Sequence, residues 1–208
     1  MESRRITVLS AGLGVPSSSR LLADQMAASA RRQLAAAGYG VDIAVVELRD
    51  IAVDIANNFV TGYAGPALAD VIAGVEASDG IIAVSPVFSA SYSGLFKSFI
   101  DVLDPSSLEG KAVLLGATAG TDRHQMVLDF AMRPLFTYLH TRIAGTAVFA
   151  GPQDWGHNDG AGSPLSTRID RAAGEFAGLL QGPQPHSKQA ALESLPFEQL
   201  LAGIAGPR

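Results

Sequence analysis

Apolar and polar residues follow two different periods along this chain, and the two periods predict strands and helices in turn. Five short runs are predominantly apolar, which is typical of strands buried within a sheet. These predicted strands cover residues 6–10, 41–48, 80–85, 112–117 and 145–149. Longer segments repeat apolar residues at helical spacing. The predicted helices cover residues 17–37, 66–77, 94–103, 124–141 and 163–180.

Capping residues support the ends of several predicted helices. Three consecutive serines, 17–19, are strong helix-start residues, and Gly38 follows the same helix as its terminator. Pro66 fits the first turn of the next helix. Residues 49–65 show no clear period and are predicted to be a long irregular connection, and residues 86–93 are predicted to be a loop.

Strands that alternate with helices predict βαβ units, hence an α/β fold with helices on both faces of a parallel sheet. Five strands suit a flavodoxin-like, doubly wound sheet of order 2-1-3-4-5. We expect residues 1–182 to form this single domain. The composition changes after Gly182, so residues 183–208 are predicted to be a linker and a C-terminal tail that docks on the domain or on a neighbouring subunit.

Composition excludes several classes of protein. The 208 residues are 48% hydrophobic and 17% charged, which excludes a disordered chain, and the absence of cysteine excludes disulfide scaffolds, iron–sulfur clusters and thiol nucleophiles. A net charge of −5 without a basic tract argues against nucleic-acid binding. No segment is apolar enough for a membrane span, and Glu2 argues against a signal peptide, so we expect a cytoplasmic protein.

The loops that follow strands one, three and four are the candidate binding loops, because ligands of doubly wound sheets bind beyond the carboxyl ends of the strands. The first, residues 10–20, offers helix-start amides, four hydroxyls and one guanidinium, which suit a phosphate. Its serines could equally serve only as helix caps. Its G-x-G-x-x-S sequence, residues 12–17, differs from the dinucleotide fingerprint at the third position, which disfavours a Rossmann dehydrogenase.

The other two loops suit a flat heteroaromatic ring. Residues 86–94 contain two aromatic residues, Phe88 and Tyr92, and four hydroxyl groups, although these aromatic rings could simply cover the core. Residues 118–124 begin with small residues that let the backbone approach a ligand, although an ordinary strand-to-helix turn would look the same. Taken together, a phosphate loop, a ring-stacking loop and a ring-edge loop on one rim favour FMN over a metal, a sugar or a nucleic acid.

Longer motifs carry a family resemblance. The segment PVFSASYSGLFKSFIDVLD, residues 86–104, resembles the signature of NAD(P)H-dependent FMN reductases, particularly those paired with luciferase-like or alkanesulfonate-type flavin monooxygenases. Residues 116–136 are similar to the following strand, loop and helix of that family, and LPFEQLLAG, residues 195–203, is similar to the tail of a subfamily. The resemblance covers most of residues 4–182.

The resemblance implies the roles of individual residues. The FMN phosphate would be bound by Ser10, Ser17, Ser18, Ser19 and Arg20. The isoalloxazine ring would be lined by Pro86, Val87, Phe88 and Ser89. The pyrimidine edge would be contacted by Thr118, Ala119, Gly120 and Thr121, with His124 next to them. The chain departs from the family pattern at two places: Gly12 and Leu13 stand where the family often has an arginine, and Ala119 stands where it often has a glycine. Alanine at residue 119 would be strained if that glycine has a positive φ.

The implied activity is hydride transfer from NADPH or NADH to FMN, with reduced flavin passed to a partner flavin-dependent monooxygenase. The cofactors supply this chemistry, so no catalytic side chain and no metal site are expected. A homodimer or homotetramer is expected through the apolar helix 124–141, where Pro134 requires a kink. The alternatives are a flavodoxin-like electron carrier, which the modest net charge disfavours, and a quinone or azo reductase that retains FMN.

Overall fold

A parallel sheet forms the centre of the computed structural model, which describes residues 2–155 and 164–182. Its strands, in chain order, are β1 (Ser3–Ser10), β2 (Gly40–Glu47), β3 (Gly80–Phe88), β4 (Ser91–Tyr92), β5 (Ala112–Thr118), β6 (Arg142–Ile143) and β7 (Val148–Ala150). The order across the sheet is β2-β1-β3-β5-β6, and β7 also pairs with β5. The predicted flavodoxin-like fold is confirmed, and the predicted tail lies outside the described residues.

The last predicted strand, 145–149, is divided into two pieces. β6 pairs with the beginning of β5 and β7 with its end, both in parallel. Between β6 and β7, two backbone groups form hydrogen bonds with side chains instead of with β5. The carbonyl of Gly145 accepts a hydrogen bond from Arg133, and the amide of Thr146 donates one to Glu175. The ladder is therefore interrupted at these two residues.

Helices cover both faces of the sheet. They are α1 (Ser18–Ala36), α2 (Ala52–Thr61), α3 (Pro66–Ala77), α4 (Gly94–Val102), α5 (Arg133–Tyr138) and α6 (Pro164–Gln181). Helices α1 and α6 form one apolar layer, in which Met26 and Phe176 are fully buried. Helices α2 to α5 form the other layer, around Phe96 and Phe136. No helix in the described ranges is long and apolar enough to cross a membrane.

Residues 49–65 are not an irregular connection, so that prediction was wrong. A short 3-10 turn, Leu48–Ile51, leads into α2, which ends at Gly62 with a φ of 69°. Within α2 only Ile55 is buried, whereas Val53 and Val60 are largely exposed. Val53, Ala56 and Val60 are three and four residues apart, so the apolar residues do share one face at helical spacing, and the sequence contained the period that predicts this helix.

The predicted helix 124–141 is likewise wrong in detail. The chain forms a 3-10 turn, Asp122–His124, then a π-helical turn, Leu128–Met132, and only then the short helix α5. Pro134 lies in the first turn of α5, where a missing N–H is tolerated. The π-helical turn ends directly before α5, so the residue without an N–H lies where the helical register changes.

The predicted loop 86–93 is largely a β-hairpin. β3 continues to Phe88 and pairs antiparallel with β4. The two residues at its tip, Ser89 and Ala90, have φ of 49° and 67°. Two consecutive positive φ angles are the geometry of a type I′ turn, which matches the twist of the flanking strands. Because neither residue is the asparagine or glycine that this turn prefers, the sequence did not indicate a hairpin.

Candidate functional site

A pocket of about 430 Å³ opens at the carboxyl ends of the strands. Four segments line it: the loop after β1, the end of β3, the loop after β5 and the loop after β7. The lining residues are Gly12, Leu13, Gly14, Pro16, Ser17, Ser18, Ser19, Pro86, Val87, Phe88, Thr118, Ala119, Gly120, Pro152 and Trp155. The three loops expected from the sequence therefore do meet at one rim, and a fourth joins them.

The N-terminus of α1 supplies the polar end of the pocket. Ser17 is the N-cap, and its hydroxyl oxygen accepts a hydrogen bond from the Arg20 amide at 3.2 Å. The amides of Ser18 and Ser19 are the first two of the helix and have no acceptor within it. Both residues line the pocket, so these amides and the positive end of the helix dipole favour an anion there.

Two further features suit this end of the pocket to an anion. Ser10 is fully buried, and its hydroxyl has no hydrogen-bond partner. It lies at the end of β1, on the α1 side of the sheet, because it alternates with Ile6 and Val8. Gly12 lies so close to Ser17 that a Cβ on it would overlap the serine hydroxyl. The loop therefore offers an unused hydroxyl, and a side chain at residue 12 would displace the capping hydroxyl of Ser17.

A buried hydrogen bond joins the first and third loops. The hydroxyls of Ser19 and Thr118 lie 2.7 Å apart, and these residues are only 2% and 5% exposed. Residue 19 is in the first turn of α1, and residue 118 ends β5. This bond fixes the distance between the phosphate end of the pocket and the loop predicted to contact a ring edge.

The β3–β4 hairpin forms an apolar wall. Val87 and Phe88 line the pocket, and Phe88 is 45% exposed. The hairpin is held at its base by Ser85, whose hydroxyl accepts a hydrogen bond from the Ser93 amide at 2.9 Å and donates one to the Pro86 carbonyl. An exposed phenyl ring on a pinned hairpin is a suitable surface for a flat ring.

The loop after β5 shows that Ala119 is not strained. Positive φ angles occur, among the described non-glycine residues, only at Ser89, Ala90 and His140. The Ala119 amide donates a hydrogen bond to the Ala150 carbonyl at 3.3 Å, which holds the loop against β7. Next to it, a Cβ on Gly120 would meet no atom within 4 Å. The departure from glycine at residue 119 is therefore tolerated by the backbone.

The fourth segment was not predicted as part of the site. Pro152 and Trp155 line the pocket from the loop after β7, and Trp155 also packs against the α1–α6 layer. This loop is held by Arg168 of α6, which donates to the Phe149 carbonyl at 3.1 Å and to Asp154 at 2.8 Å. The position of this loop in the sequence could have indicated its role, because it follows the last strand of the same parallel sheet.

Five of the predicted site residues lie outside the pocket lining: Ser10, Arg20, Ser89, Thr121 and His124. Ser10 lies buried beneath the first loop, as described above. Ser89 occupies the hairpin tip, and the Thr121 hydroxyl accepts a hydrogen bond from the Arg123 amide at the edge of the third loop. Their predicted roles toward FMN stay predictions.

The guanidinium group of Arg20 is engaged by acidic side chains. It lies 2.8 Å from Asp24 and 2.8 Å from Glu47. The hydrogen bond to Asp24, above all, raises the pKa of Arg20 above its ordinary value. None of the fifteen residues that line the described pocket is charged. The pocket therefore provides neutral donors and apolar surface, with no acid or base.

These properties fit FMN. The α1 end provides amides and hydroxyls for a phosphate, and Phe88 and Trp155 provide aromatic surface for a ring. The pocket volume lies within the range of cofactor sites. No group of three or more potential ligands for a metal ion occurs in residues 2–155 and 164–182. The ion pair of Lys97 with Asp101 is an exposed helical pair and is not part of the pocket.

Comparison with known proteins agrees with the geometry. The family model for NADPH-dependent FMN reductase matches residues 4–156. An FMN reductase (NADPH) of Pseudomonas aeruginosa is 33% identical over 86% of this chain and 93% of its own length. An NADH-dependent FMN reductase, SfnF, of Pseudomonas fluorescens is 30% identical over 84% of this chain and 91% of its own length.

A solved structure is similar over nearly the whole of its length. The oxidoreductase of Corynebacterium diphtheriae has 39% sequence identity and a TM-score of 0.82, and the match covers 87% of this chain and 98% of that one. The family model covers the β1, β3 and β5 loops that line the pocket. Residues 86–104 and 116–136, which carry the family resemblance, lie within the matched region, whereas residues 195–203 lie outside it. The chain belongs to the NADPH-dependent FMN reductase family.

Proposed function

We propose that this chain is a cytoplasmic flavin reductase that binds FMN in the pocket described above, reduces it with NAD(P)H and releases it to a flavin-dependent monooxygenase. The NAD(P)H:FMN oxidoreductase activity follows from membership of the family. The observation that carries the assignment of the pocket is the meeting of the α1 N-terminus with the Phe88 wall at one rim. Release to a monooxygenase is the further step that the sequence resemblance suggests.

The protein's part in the reaction is to hold and orient. FMN, when bound, supplies the ring that accepts the hydride donated by NAD(P)H. Ser17, Ser18 and Ser19 would hold the phosphate, while Phe88 and the loop 118–120 would set the plane and the edge of the ring. Orientation of two reactants can account for a large part of a barrier, so a pocket without an acid or base suits this chemistry.

The first test is oxidation of NADH and of NADPH by flavin-free protein, with and without added FMN. We expect oxidation that depends on added FMN and saturates with it. Both coenzymes are needed because the curated relatives differ between NADPH and NADH in their names. Tight retention of FMN with negligible oxidation would contradict the proposal in favour of an electron carrier. Turnover that requires a quinone rather than free FMN would favour a reductase with retained FMN.

Transfer to a monooxygenase is tested by coupling. Reductase, FMN and NAD(P)H would be mixed with a luciferase-like monooxygenase, and light emission or substrate oxidation would be recorded. The same mixture with an Arg32→Met variant serves as a control for the loss of a surface charge, since the Arg32 side chain is 65% exposed and pairs with Asp170 on α6. Monooxygenase turnover in proportion to flavin reduction supports release. Reduction without any monooxygenase turnover contradicts it.

We also propose that the protein is a homodimer or homotetramer. Several large apolar side chains are exposed on α2 and near the π-helical turn: Val53, Phe59, Val60, Met126, Phe130 and Tyr138. Exposed apolar surface of this kind favours association with a second copy. Light scattering would give the mass. A Phe130→Asp variant should shift the distribution toward monomer, and a wild-type protein that is mainly monomeric would contradict the proposal.

A further inference from the structure

A cluster of five charged residues lies behind the loop that follows β1. Its members are Arg20, Asp24, Glu47, Arg49 and Asp50. Glu47 is its centre, because one carboxylate oxygen lies 2.8 Å from Arg20 and the other lies 2.8 Å from Arg49. The side chain of Glu47 is only 16% exposed, so these ion pairs are shielded from solvent more than ordinary surface pairs.

Arg49 connects this cluster to the pocket. Its Nη1 donates a 2.6 Å hydrogen bond to the carbonyl of Gly14, and its Nη2 contacts Glu47. Gly14 lines the pocket, whereas Arg49 does not. The bond therefore reaches the loop from outside. Arg49 follows β2 in a short 3-10 turn, so it ties the loop after β1 to the neighbouring strand.

The arginines of the cluster do not offer charge to the ligand. Arg20 is bound by Asp24 and Glu47, and Arg49 by Glu47 and the Gly14 carbonyl. Two positive charges face three negative ones in the cluster. Residues 12 and 13 of the loop are glycine and leucine, and the described pocket lining is uncharged.

We propose that Arg49 is a positioning residue, which fixes the loop through Gly14, and that the phosphate of FMN is bound by hydroxyl and amide donors without a side-chain cation. This inference rests on the proposed function for its ligand, but the positioning role concerns the protein alone. It makes a specific prediction about salt. The protein carries a net charge of −5, so salt should screen repulsion of the FMN dianion without weakening any cationic contact.

The first experiment measures loop order without flavin. Hydrogen–deuterium exchange of the flavin-free protein would be compared among wild type, Arg49→Met and the control Arg32→Met, which also loses a paired arginine. We expect faster exchange over residues 11–17 in Arg49→Met only, with α6 unchanged in all three. Equal exchange over residues 11–17 in the three proteins would overturn the positioning role, whether or not the protein binds FMN.

The second experiment measures dissociation constants of FMN and riboflavin by flavin fluorescence at about 0.01 M and about 0.15 M salt, where the screening length falls from about 30 Å to about 8 Å. In wild type, FMN binding should stay constant or tighten as salt rises. Arg49→Met should weaken FMN binding about tenfold and riboflavin binding less than about twofold, with the same response to salt. FMN binding that weakens with salt in wild type and loses this response in Arg49→Met would make Arg49 a phosphate ligand and overturn the proposal.

Discussion

The hydrogen bond between Ser19 and Thr118 allows a quantitative prediction. These hydroxyls are 2.7 Å apart and nearly inaccessible to solvent. Ser19→Ala leaves the Thr118 hydroxyl without its partner, and an unsatisfied buried hydroxyl costs about 1–3 kcal/mol. Thr118→Val does the same to Ser19. In the double variant both polar groups are gone, so we expect it to be less destabilised than the sum of the single variants by about 1 kcal/mol or more.

The assay is urea unfolding of the flavin-free proteins, which gives the free energy of unfolding of all four members of the cycle. A matched control is Ser106→Ala, because the Ser106 hydroxyl donates a 2.8 Å hydrogen bond to Asp104 at an exposed site. We expect the control to change the free energy of unfolding by less than about 0.5 kcal/mol. Single-variant effects that add within about 0.3–0.5 kcal/mol would refute the coupling.

The same cycle has a functional result. Because the bond joins the phosphate end of the pocket to the loop 118–120, its loss should weaken FMN binding in both single variants. The double variant should not recover affinity, since the hydroxyls no longer link the two loops. Stability and affinity would then respond differently to the second substitution. Recovery of both together would mean that the bond affects affinity only through stability.

Three further predictions rest on single positions. Ala90→Gly should stabilise the protein by about 0.5–1 kcal/mol in urea unfolding, since alanine at a φ of 67° is strained and glycine is not; a loss of stability would contradict this. Gly120→Val should leave the melting temperature unchanged but weaken FMN binding more than about tenfold, because the valine side chain would extend into open space at the pocket. An unchanged dissociation constant would contradict the placement of FMN in this pocket. Hydrogen bonds from the Thr146 hydroxyl and amide lower the pKa of Glu175. The ionised Glu175 carboxylate therefore stabilises the fold fully above its unfolded-state pKa, and this stabilisation is lost as the pH falls through the lower folded-state pKa. Unfolding measured between neutral pH and about pH 3 should therefore show a smaller loss of stability in Glu175→Gln than in wild type.

Much of the fold could be predicted because it depends on local pattern. The strands β3 and β5 are almost continuous apolar runs, which is typical of strands buried on both faces, and β1 has a shorter apolar part at residues 6–9. The serines at 17–19 predicted a helix start, and the structure places Ser17 as the cap. Parallel strands bring their carboxyl ends to one edge, so strand order alone predicted that the loops would meet.

Other elements depended on contacts between distant residues. Helix α2 has apolar residues at helical spacing, but it buries only Ile55 and begins without a capping side chain, so its start was not marked in the sequence. The hairpin at Ser89 and Ala90 has a backbone geometry that these residue types do not favour, and Ser85 and Ser93 hold it instead. Local preference could not predict the hairpin, because tertiary contacts compensate for its absence.

The sequence by itself determined the α/β fold, the serine-rich helix start and the family resemblance, because each depends on residues that are neighbours along the chain. Only the tertiary structure decided which polar groups reach the pocket. Arg20 directly follows Ser19, which lines the pocket, yet its guanidinium pairs with Glu47 of β2 and is not part of the pocket lining. Trp155 is brought to the pocket by Arg168, which binds the loop from α6. Charge and hydrogen bonding act through space, so the partner of a side chain is set by the packing of helices on the sheet.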